Sequence, residues 1–240
     1  MIIIPARVES SRFANKVLAD VLGLPMVIRT AKQVMDLDDV AIATDSQDVI
    51  DIATSYGIKA LMTSNKHQSG TDRVNECANI LGLSDNEIVI NVQADEPFIE
   101  KDVVASVIEK VKFGINQNQD FTMVSCFKLI SSELADDPNH VKVVLDTNQN
   151  AIYFSRSKMP YHRDHYTQTS YNGHLGIYGF SKKSLNTFCS LEVAQLESIE
   201  KLEQLRAIYN GLKIGMVQVE SKSFGIDTKE DLENALRIFG

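Results

Sequence analysis

Residues 1–16 read MIIIPARVESSRFANK, and this opening decides the class of fold. Ile2 to Ile4 form a short apolar run of strand composition, and a polar loop with the cations Arg7, Arg12 and Lys16 follows it directly. In an open α/β sheet, ligands bind beyond the carboxyl ends of the strands. The opening therefore predicts a first buried strand that leads into a binding loop.

Strand-like and helix-like segments alternate up to about residue 120. The strand-like runs are 2–4, 40–43, 60–62 and 88–92, and the amphipathic helical segments are 26–35, 48–56, 72–81 and 103–111. Such alternation predicts parallel strands with right-handed crossovers. Later strand-like runs follow one another with few helices between them, at 121–130, 141–146, 151–154 and 174–180. We therefore predict an α/β fold with a mixed, mostly parallel sheet, flanking helices and an antiparallel extension.

The last part of the sequence predicts two helices. One covers residues 199–209, with Ile199, Leu202, Leu205 and Ile208 on one face, and the other covers residues 228–239. The 240 residues contain no repeat and no linker-like segment, so a single domain over residues 1–240 is expected.

The formal net charge of −8 argues against a nucleic-acid partner or an anionic membrane surface, since both require a broad basic field. The longest apolar runs are far shorter than the roughly 20 residues that cross a bilayer, and the start lacks a signal-peptide pattern. Cys77, Cys126 and Cys189 are widely separated, which predicts reduced thiols. We expect a soluble, cytoplasmic protein with no membrane insertion.

The loop after the first strand is a candidate phosphate site despite the acidic net charge. A triphosphate needs several fixed donors, which Arg and Lys side chains and the hydroxyls of Ser10 and Ser11 can supply. The alternative is a solvated basic loop. The segment matches neither the dinucleotide glycine motif nor the phosphate-loop motif, which disfavours a dehydrogenase or an ATPase.

Two acidic segments could contribute a metal ligand. Asp95 follows an apolar strand in residues 91–97, where its carboxylate could hold Mg²⁺ or belong to a turn or helix cap. Asp227 precedes the last predicted helix, and with Glu230 three residues on it resembles a helix cap. Each aspartate alone is therefore ambiguous.

Two further segments combine polar side chains with regular structure. Residues 69–73 open a helix, so Thr71 is either its cap or part of a terminus whose N–H groups bind an anion or a base edge. The period of a strand places His174, Gly176 and Tyr178 on one face, as a ligand wall or as structural residues.

Together these segments resemble one family, the CMP-KDO synthetases (3-deoxy-manno-octulosonate cytidylyltransferases). The similar segments run in family order over nearly the whole chain: 5–16 for the nucleotide loop, 67–73 for the cytosine side, 91–97 for the magnesium segment, 141–146, 151–156 and 174–180 for the sugar wall, 200–206 for a late helix, and 225–231 for the closing motif.

The resemblance implies a Rossmann-like nucleotidyltransferase fold, a homodimer, and transfer of CMP from CTP to KDO with Mg²⁺ as cofactor, in lipopolysaccharide biosynthesis. It implies that the nucleotide is bound by Arg7, Ser11, Arg12, Lys16, Ser69, Gly70, Arg73 and Gln93. It implies that the sugar is bound by Arg156, His174, Tyr178, Glu203 and Gln204. Asp95 and Asp227 would hold the metal, and the catalytic set is Arg7, Arg12, Lys16, Asp95 and Asp227. The alternatives are activation of 8-amino-KDO or a sialic acid, or a silent CTP-binding protein.

The chain departs from the family pattern at two places. Ala14-Asn15 replaces the usual Pro-Gly, and Asn tolerates a positive φ. Ala94 replaces the glycine of the usual Gln-Gly-Asp, and a methyl group close to the metal and the sugar could narrow the pocket or strain the backbone. This second departure puts the exact sugar preference in question.

Overall fold

The computed structural model describes residues 1–8, 13–67, 69–163 and 170–240. In these residues, nine strands form one sheet: β1 Ile2–Ala6, β4 Val40–Thr44, β5 Lys59–Met62, β6 Ile88–Asn91, β7 Phe121–Ile130, β8 Lys142–Leu145, β9 Ala151–Ser155, β10 Tyr171–Ser181 and β11 Lys213–Gln218. A separate small hairpin is formed by β2 Asp20–Val21 and β3 Leu24–Pro25.

The strand order is β11-β7-β10-β6-β1-β4-β5. Strands β6, β1, β4 and β5 are parallel, β10 runs antiparallel to β6 and β7, and β11 is parallel to β7. The antiparallel pair β8–β9 joins the sheet where Lys142 pairs with Gly173 of β10. The predicted mixed, mostly parallel sheet with an antiparallel extension is confirmed.

Helices cover both faces of the sheet: α1 Met26–Val34, α2 Gln47–Ser55, α3 Gly70–Ile80, α4 Lys101–Asn116, α5 Ser132–Asp136, α6 Lys182–Cys189, α7 Gln195–Glu200, α8 Leu205–Tyr209 and α9 Lys229–Phe239. Ile2 and Ile4 pack into one apolar cluster, and Ile3 packs into a second one. Because successive side chains of a strand point to opposite faces, β1 must be apolar throughout to bury both. This explains the run of isoleucines at the start of the chain.

Three elements of the second half are missing from the sequence-based prediction: α5, α6 and β11. Strand β11 contains Gly215, and glycine weakens the strand signal. The structure shows why glycine is there, since a Cβ atom at this position would lie 3.0 Å from Cζ of Phe121. Packing against Phe121 therefore requires glycine at position 215, and the local sequence pattern does not indicate this requirement.

The expected single helix over residues 199–209 is wrong. The chain forms α7 and α8 instead, because Lys201 has a φ of 54° and ends the first helix. A left-handed residue cannot continue a right-handed helix. Leu202 and Leu205 are buried as the apolar pattern requires, whereas Ile199 is 69% exposed.

No helix of the described ranges is both long and apolar enough to pass through a lipid bilayer. All three cysteines are free thiols, with Cys77 and Cys126 buried and Cys189 half-buried.

The conformation of Lys201 leads to a stability test. Lys201→Gly should raise the free energy of unfolding by roughly 0.5–1 kcal/mol, because glycine adopts positive φ without the penalty that other residues meet. Lys112→Gly, at an exposed position of α4, is the matched control and should lower it by about 1 kcal/mol. Urea denaturation of both variants measures the difference, and a loss of stability in both would contradict this interpretation.

Candidate active site

The ammonium of Lys16 lies between the carboxylates of Asp95 and Asp227. Its Nζ is 2.7 Å from Oδ2 of Asp95 and 2.8 Å from Oδ1 of Asp227, although these residues are 79 and 211 positions away in sequence. Burial lowers the pKa of Lys16, but the two carboxylates raise it further, so the net pKa lies above its ordinary value. Lys16 is therefore charged at neutral pH.

Lys16 reaches this position through the backbone of Asn15. Asn15 has a φ of 54° and precedes the 3-10 turn Lys16–Leu18. The expectation that Asn15 adopts a positive φ is thus confirmed. The turn places Lys16 beyond the carboxyl end of β1, on the side where the loop after β6 carries Asp95.

Asp227 is not the cap of the last helix, as the sequence suggested. Thr228 caps α9, since its side chain accepts a hydrogen bond from the N–H of Asp231. The carboxylate of Asp231 accepts in return from the N–H groups of Thr228 and Asp227, at 2.8 and 3.0 Å. The capping box is shifted by one residue, and the carboxylate of Asp227 reaches Lys16 instead.

Residues 221–226, which we call the strap, bring Asp227 to the site. Glu100 accepts hydrogen bonds from the hydroxyl of Ser221 and the N–H of Lys222, both at 2.7 Å. Lys128 donates to the carbonyls of Ser221 and Ser223.

The end of the strap is tied to the loop that carries Asp95. The hydroxyl of Ser223 donates to Glu96 at 2.6 Å, and the N–H of Ile226 donates to the carbonyl of Asp95 at 2.9 Å. Burial raises the pKa of Glu96 to about 7, although the hydrogen bond from Ser223 opposes the shift. Sequence reasoning missed Glu96, Glu100 and Lys128, because nothing local marks residues that act on a distant segment.

Several predicted nucleotide residues meet beside this site. A Cβ atom at Gly70 would lie 3.3 Å from Cγ of Pro5 and 3.4 Å from Oε1 of Gln93, so the end of β1, the loop after β6 and the start of α3 lie close together. Arg7 follows β1 directly and is exposed. Ser11 and Arg12 lie outside the described residues.

The start of α3 is capped by Ser69, whose side chain accepts a hydrogen bond from the N–H of Asp72. Thr71 is therefore not the cap. Its hydroxyl donates to Glu203 at 2.7 Å and accepts from Asn91, which in turn accepts from Gln93. This series of hydrogen bonds holds the side-chain amide of Gln93 in one orientation.

Arg73 is buried and already paired. Its guanidinium donates to Asp45 at 2.6 Å and to Thr63 at 2.7 Å. These contacts attach α3 to the residues that follow β4 and β5. A direct contact of Arg73 with a nucleotide stays a prediction.

A cleft of about 580 Å³ opens next to the aspartates. It is lined by predicted residues from several elements: Gln93, Asp95, Arg156, His174, Tyr178, Gln204 and Asp227. Glu203 is not among its lining residues, because its carboxylate accepts from Thr71. Burial raises the pKa of Glu203, and a contact of this residue with a sugar stays a prediction.

One wall of the cleft presents neutral polar groups. Burial lowers the pKa of His174 to about 3, so its imidazole is neutral, with Nε2 2.9 Å from the hydroxyl of Ser125. Tyr178 donates its hydroxyl to Oε1 of Gln204 at 3.1 Å, and burial raises its pKa well above the ordinary value. Within the described residues, Nε2 of Gln204 is buried without a hydrogen-bond partner. Such a donor favours a ligand with an acceptor.

Arg156 supplies a cation to the lining of the cleft. Its Nε donates to the carbonyl of Glu200 at 2.7 Å, and its Nη1 donates to the carbonyl of Pro138 at 2.9 Å. Carbonyl oxygens orient a guanidinium without cancelling its charge. Arg156 is therefore suited to an anionic group in the cleft.

The expectation for Ala94 is wrong. Ala94 is 4% exposed, belongs to the same buried cluster as Ile4 and Val27, and has no positive φ. Its carbonyl accepts a hydrogen bond from Thr30 at 2.9 Å. The methyl group faces the core and does not line the cleft, so it neither narrows the pocket nor strains the backbone.

Comparison with known proteins agrees with this geometry. A family model described as cytidylyltransferase matches residues 1–214. The chain belongs to the cytidylyltransferase family. Two similar proteins are both named 3-deoxy-manno-octulosonate cytidylyltransferase. The one from Wolinella succinogenes is 50% identical over 100% of this chain and 99% of its own, and the one from Nitratiruptor sp. is 53% identical over 97% of each.

A solved structure of a CMP:2-keto-3-deoxy-manno-octonic acid synthetase complexed with CTP is 36% identical in sequence. It superposes with a TM-score of 0.86 and covers 99% of this chain and 96% of its own. The chain is therefore a nucleotidyltransferase, and it shares the fold of this solved structure over nearly its whole length.

His174 of this cytidylyltransferase should make stability depend on pH. Its pKa is about 3 in the folded chain and about 6.5 when unfolded, so the unfolded state binds a proton first as pH falls. Between pH 7.5 and pH 5 the wild type should lose about 2 kcal/mol that His174→Gln does not lose. Urea unfolding at both pH values measures this, and equal losses in the two proteins would rule out a neutral His174 in the folded chain.

Proposed function

We propose that this protein transfers CMP from CTP to 3-deoxy-manno-octulosonate (KDO), which gives CMP-KDO and diphosphate for lipopolysaccharide biosynthesis. The observation that carries the proposal is the meeting of Lys16, Asp95 and Asp227 at the edge of a cleft that also holds Arg156. The names of the full-length relatives and of the CTP complex support the same reaction.

In this proposal the nucleotide lies over the loops after β1 and β6. Arg7, Arg12 and Lys16 bind the triphosphate, and Ser11 adds a hydroxyl donor. Ser69, Gly70, Arg73 and Gln93 surround the cytidine. The close approach of Gly70 to Pro5 and Gln93 supports this arrangement, since a side chain at Gly70 would crowd the contact.

The acid sugar occupies the cleft. Arg156 binds its carboxylate, because the guanidinium is oriented by carbonyls and keeps its full charge. His174, Tyr178 and Gln204 bind its hydroxyls as neutral partners, and Glu203 adds a further contact. A sugar hydroxyl is an acceptor of the kind that Nε2 of Gln204 needs.

The residues present also fit the cofactor Mg²⁺. Asp95 and Asp227 bring two carboxylates to one point, where both contact Nζ of Lys16. Mg²⁺ usually binds one or two carboxylates together with water and substrate phosphates. When bound, a divalent metal ion neutralises phosphate oxygens and lowers the pKa of an attacking hydroxyl.

The reaction is an in-line substitution at phosphorus. The anomeric hydroxyl oxygen of KDO attacks the α-phosphorus of CTP, the bond to the β-phosphate oxygen breaks, and diphosphate leaves. The cations Arg7, Arg12 and Lys16 stabilise the negative charge on the departing phosphates. The proton of the attacking hydroxyl passes to solvent, and a lowered pKa of that hydroxyl allows this without a dedicated protein base. Fixed positioning of the two substrates contributes on the order of 7–11 kcal/mol.

Two alternatives concern the sugar and the chemistry. The family also suggests 8-amino-KDO or a sialic acid as acceptor, but the position of Ala94 removes the reason to expect a modified sugar. A silent CTP-binding protein would need neither aspartate at the cleft edge. The intact site therefore favours catalysis with KDO.

We also propose that the protein is a cytoplasmic homodimer. The antiparallel extension and its neighbours carry exposed apolar side chains at Leu129, Leu134 and Ile152, with exposed fractions of 54%, 44% and 53%. A second copy would remove these side chains from water. Sedimentation analysis measures the oligomeric state directly.

The function is tested by release of diphosphate from CTP and Mg²⁺, with KDO, 8-amino-KDO and sialic acid compared as acceptors. ATP and UTP in place of CTP are the nucleotide controls. We expect turnover with CTP and KDO. Turnover with sialic acid alone would indicate a different sugar specificity. Failure to release diphosphate with any of the three acceptors would refute the proposal.

The metal site is tested by Asp95→Asn and Asp227→Asn. Each change removes a carboxylate ligand and should lower kcat by about a hundredfold or more at saturating Mg²⁺. Asp102→Asn, at an exposed position in the first turn of α4, is the matched control. Electron paramagnetic resonance of Mn²⁺ in the presence of CTP should show weaker binding in the two site variants. Near-normal rates in either variant would contradict the assignment.

A further inference from the structure

Lys142 is a fully buried cation in segment 141–146, one of the segments that resemble the sugar wall of the family. It is the first residue of β8, pairs with Ser155 of β9 and Gly173 of β10, and has no exposed surface. Burial lowers its pKa, because desolvation disfavours the charged form. No element of the proposed reaction uses this residue so far.

The ammonium of Lys142 holds two carbonyl groups from different segments. It donates to the carbonyl of Arg156 at 2.6 Å and to the carbonyl of Asp137 at 3.1 Å. In the described part of the chain, no carboxylate pairs with it within ion-pair distance. Lys142 therefore acts as a cross-link between the backbone of residue 137 and the backbone of residue 156.

These same two segments determine where the guanidinium of Arg156 points. Pro138, next to Asp137, accepts the hydrogen bond from Nη1 of Arg156, and Glu200 accepts from Nε. The carboxylate of Glu200 also accepts from the N–H of Arg156. If residues 137–138 moved relative to Arg156, the hydrogen bond from Nη1 of Arg156 to the carbonyl of Pro138 would break. The guanidinium would then lose its orientation.

We propose that Lys142 is a positioning residue for recognition of the sugar acid, because its buried ammonium fixes the guanidinium of Arg156 toward the carboxylate of the substrate. The inference rests on the proposed function. Lys142 does not line the cleft, whereas Asp137, His140 and Arg156 do. It acts through Arg156 and through the segment before β8, without touching the substrate.

The structure contains a matched control in Lys182. This second buried lysine, 2% exposed, also has a pKa lowered by burial, and its ammonium donates to the side chains of Asn75 and Asn186. It lies at the start of α6 and does not line the cleft. Removing either lysine deletes a buried charge, but only Lys142 is connected to Arg156.

The test compares Lys142→Met with Lys182→Met in steady-state assays on KDO and CTP. Lys142→Met should raise the KM for KDO by about tenfold to a hundredfold, the range expected for a misplaced binding group, and leave the KM for CTP nearly unchanged. Lys182→Met should change neither KM. Lys142→Gln, which retains a neutral donor, serves as the second variant should methionine prevent folding, and it should lie between wild type and methionine.

Double variants separate positioning from general disturbance. In an Arg156→Met background, adding Lys142→Met should have no further effect on the KM for KDO, because the group it positions is gone. If Lys142→Met raised the KM for KDO by the same factor with and without Arg156→Met, the inference would be overturned. An unchanged KM for KDO in folded Lys142→Met or Lys142→Gln would also overturn it. Absence of wild-type turnover with KDO would instead refute the proposed function.

Discussion

The structure depends on one electrostatic constraint: two carboxylates must be held beside each other although they repel. Lys16 makes this possible, since its ammonium pairs with Asp95 and Asp227 at once. The three side chains come from the loop after β1, the loop after β6 and the approach to α9. The order of strands places β6 and β1 next to each other, so the sheet itself provides two of the three groups.

The site is cationic where it must be, in a chain whose net charge is −8. Its buried or half-buried cations are held in different ways. Lys16 and Arg73 pair with carboxylates, which fix loops to one another. Lys128, Lys142 and Arg156 donate to backbone carbonyls. A carbonyl has no net charge, so these hydrogen bonds orient the chain without forming an ion pair, and Lys128 and Arg156 of this group line the cleft.

The fold and much of the site follow from the sequence where the signal is local. Three features could be predicted from short stretches of sequence: the isoleucines of β1, the alternation of strands and helices, and the polar face of β10. Asp227 shows the limit, because the motif of a helix cap is nearly the same when shifted by one residue. The break at Lys201 and the tight packing at Gly215 also escape prediction, since distant contacts impose both.

The strap has a consequence for the order in which the molecule is completed. A growing chain on the ribosome exposes β1 and β6, and with them Lys16 and Asp95, long before residues 221–231 have been made. The strap then docks on Glu96, Glu100 and Lys128, which belong to already finished elements. Asp227 is therefore the last of the three side chains to reach the cluster, so the contact among Lys16, Asp95 and Asp227 forms only once synthesis of the chain is nearly over.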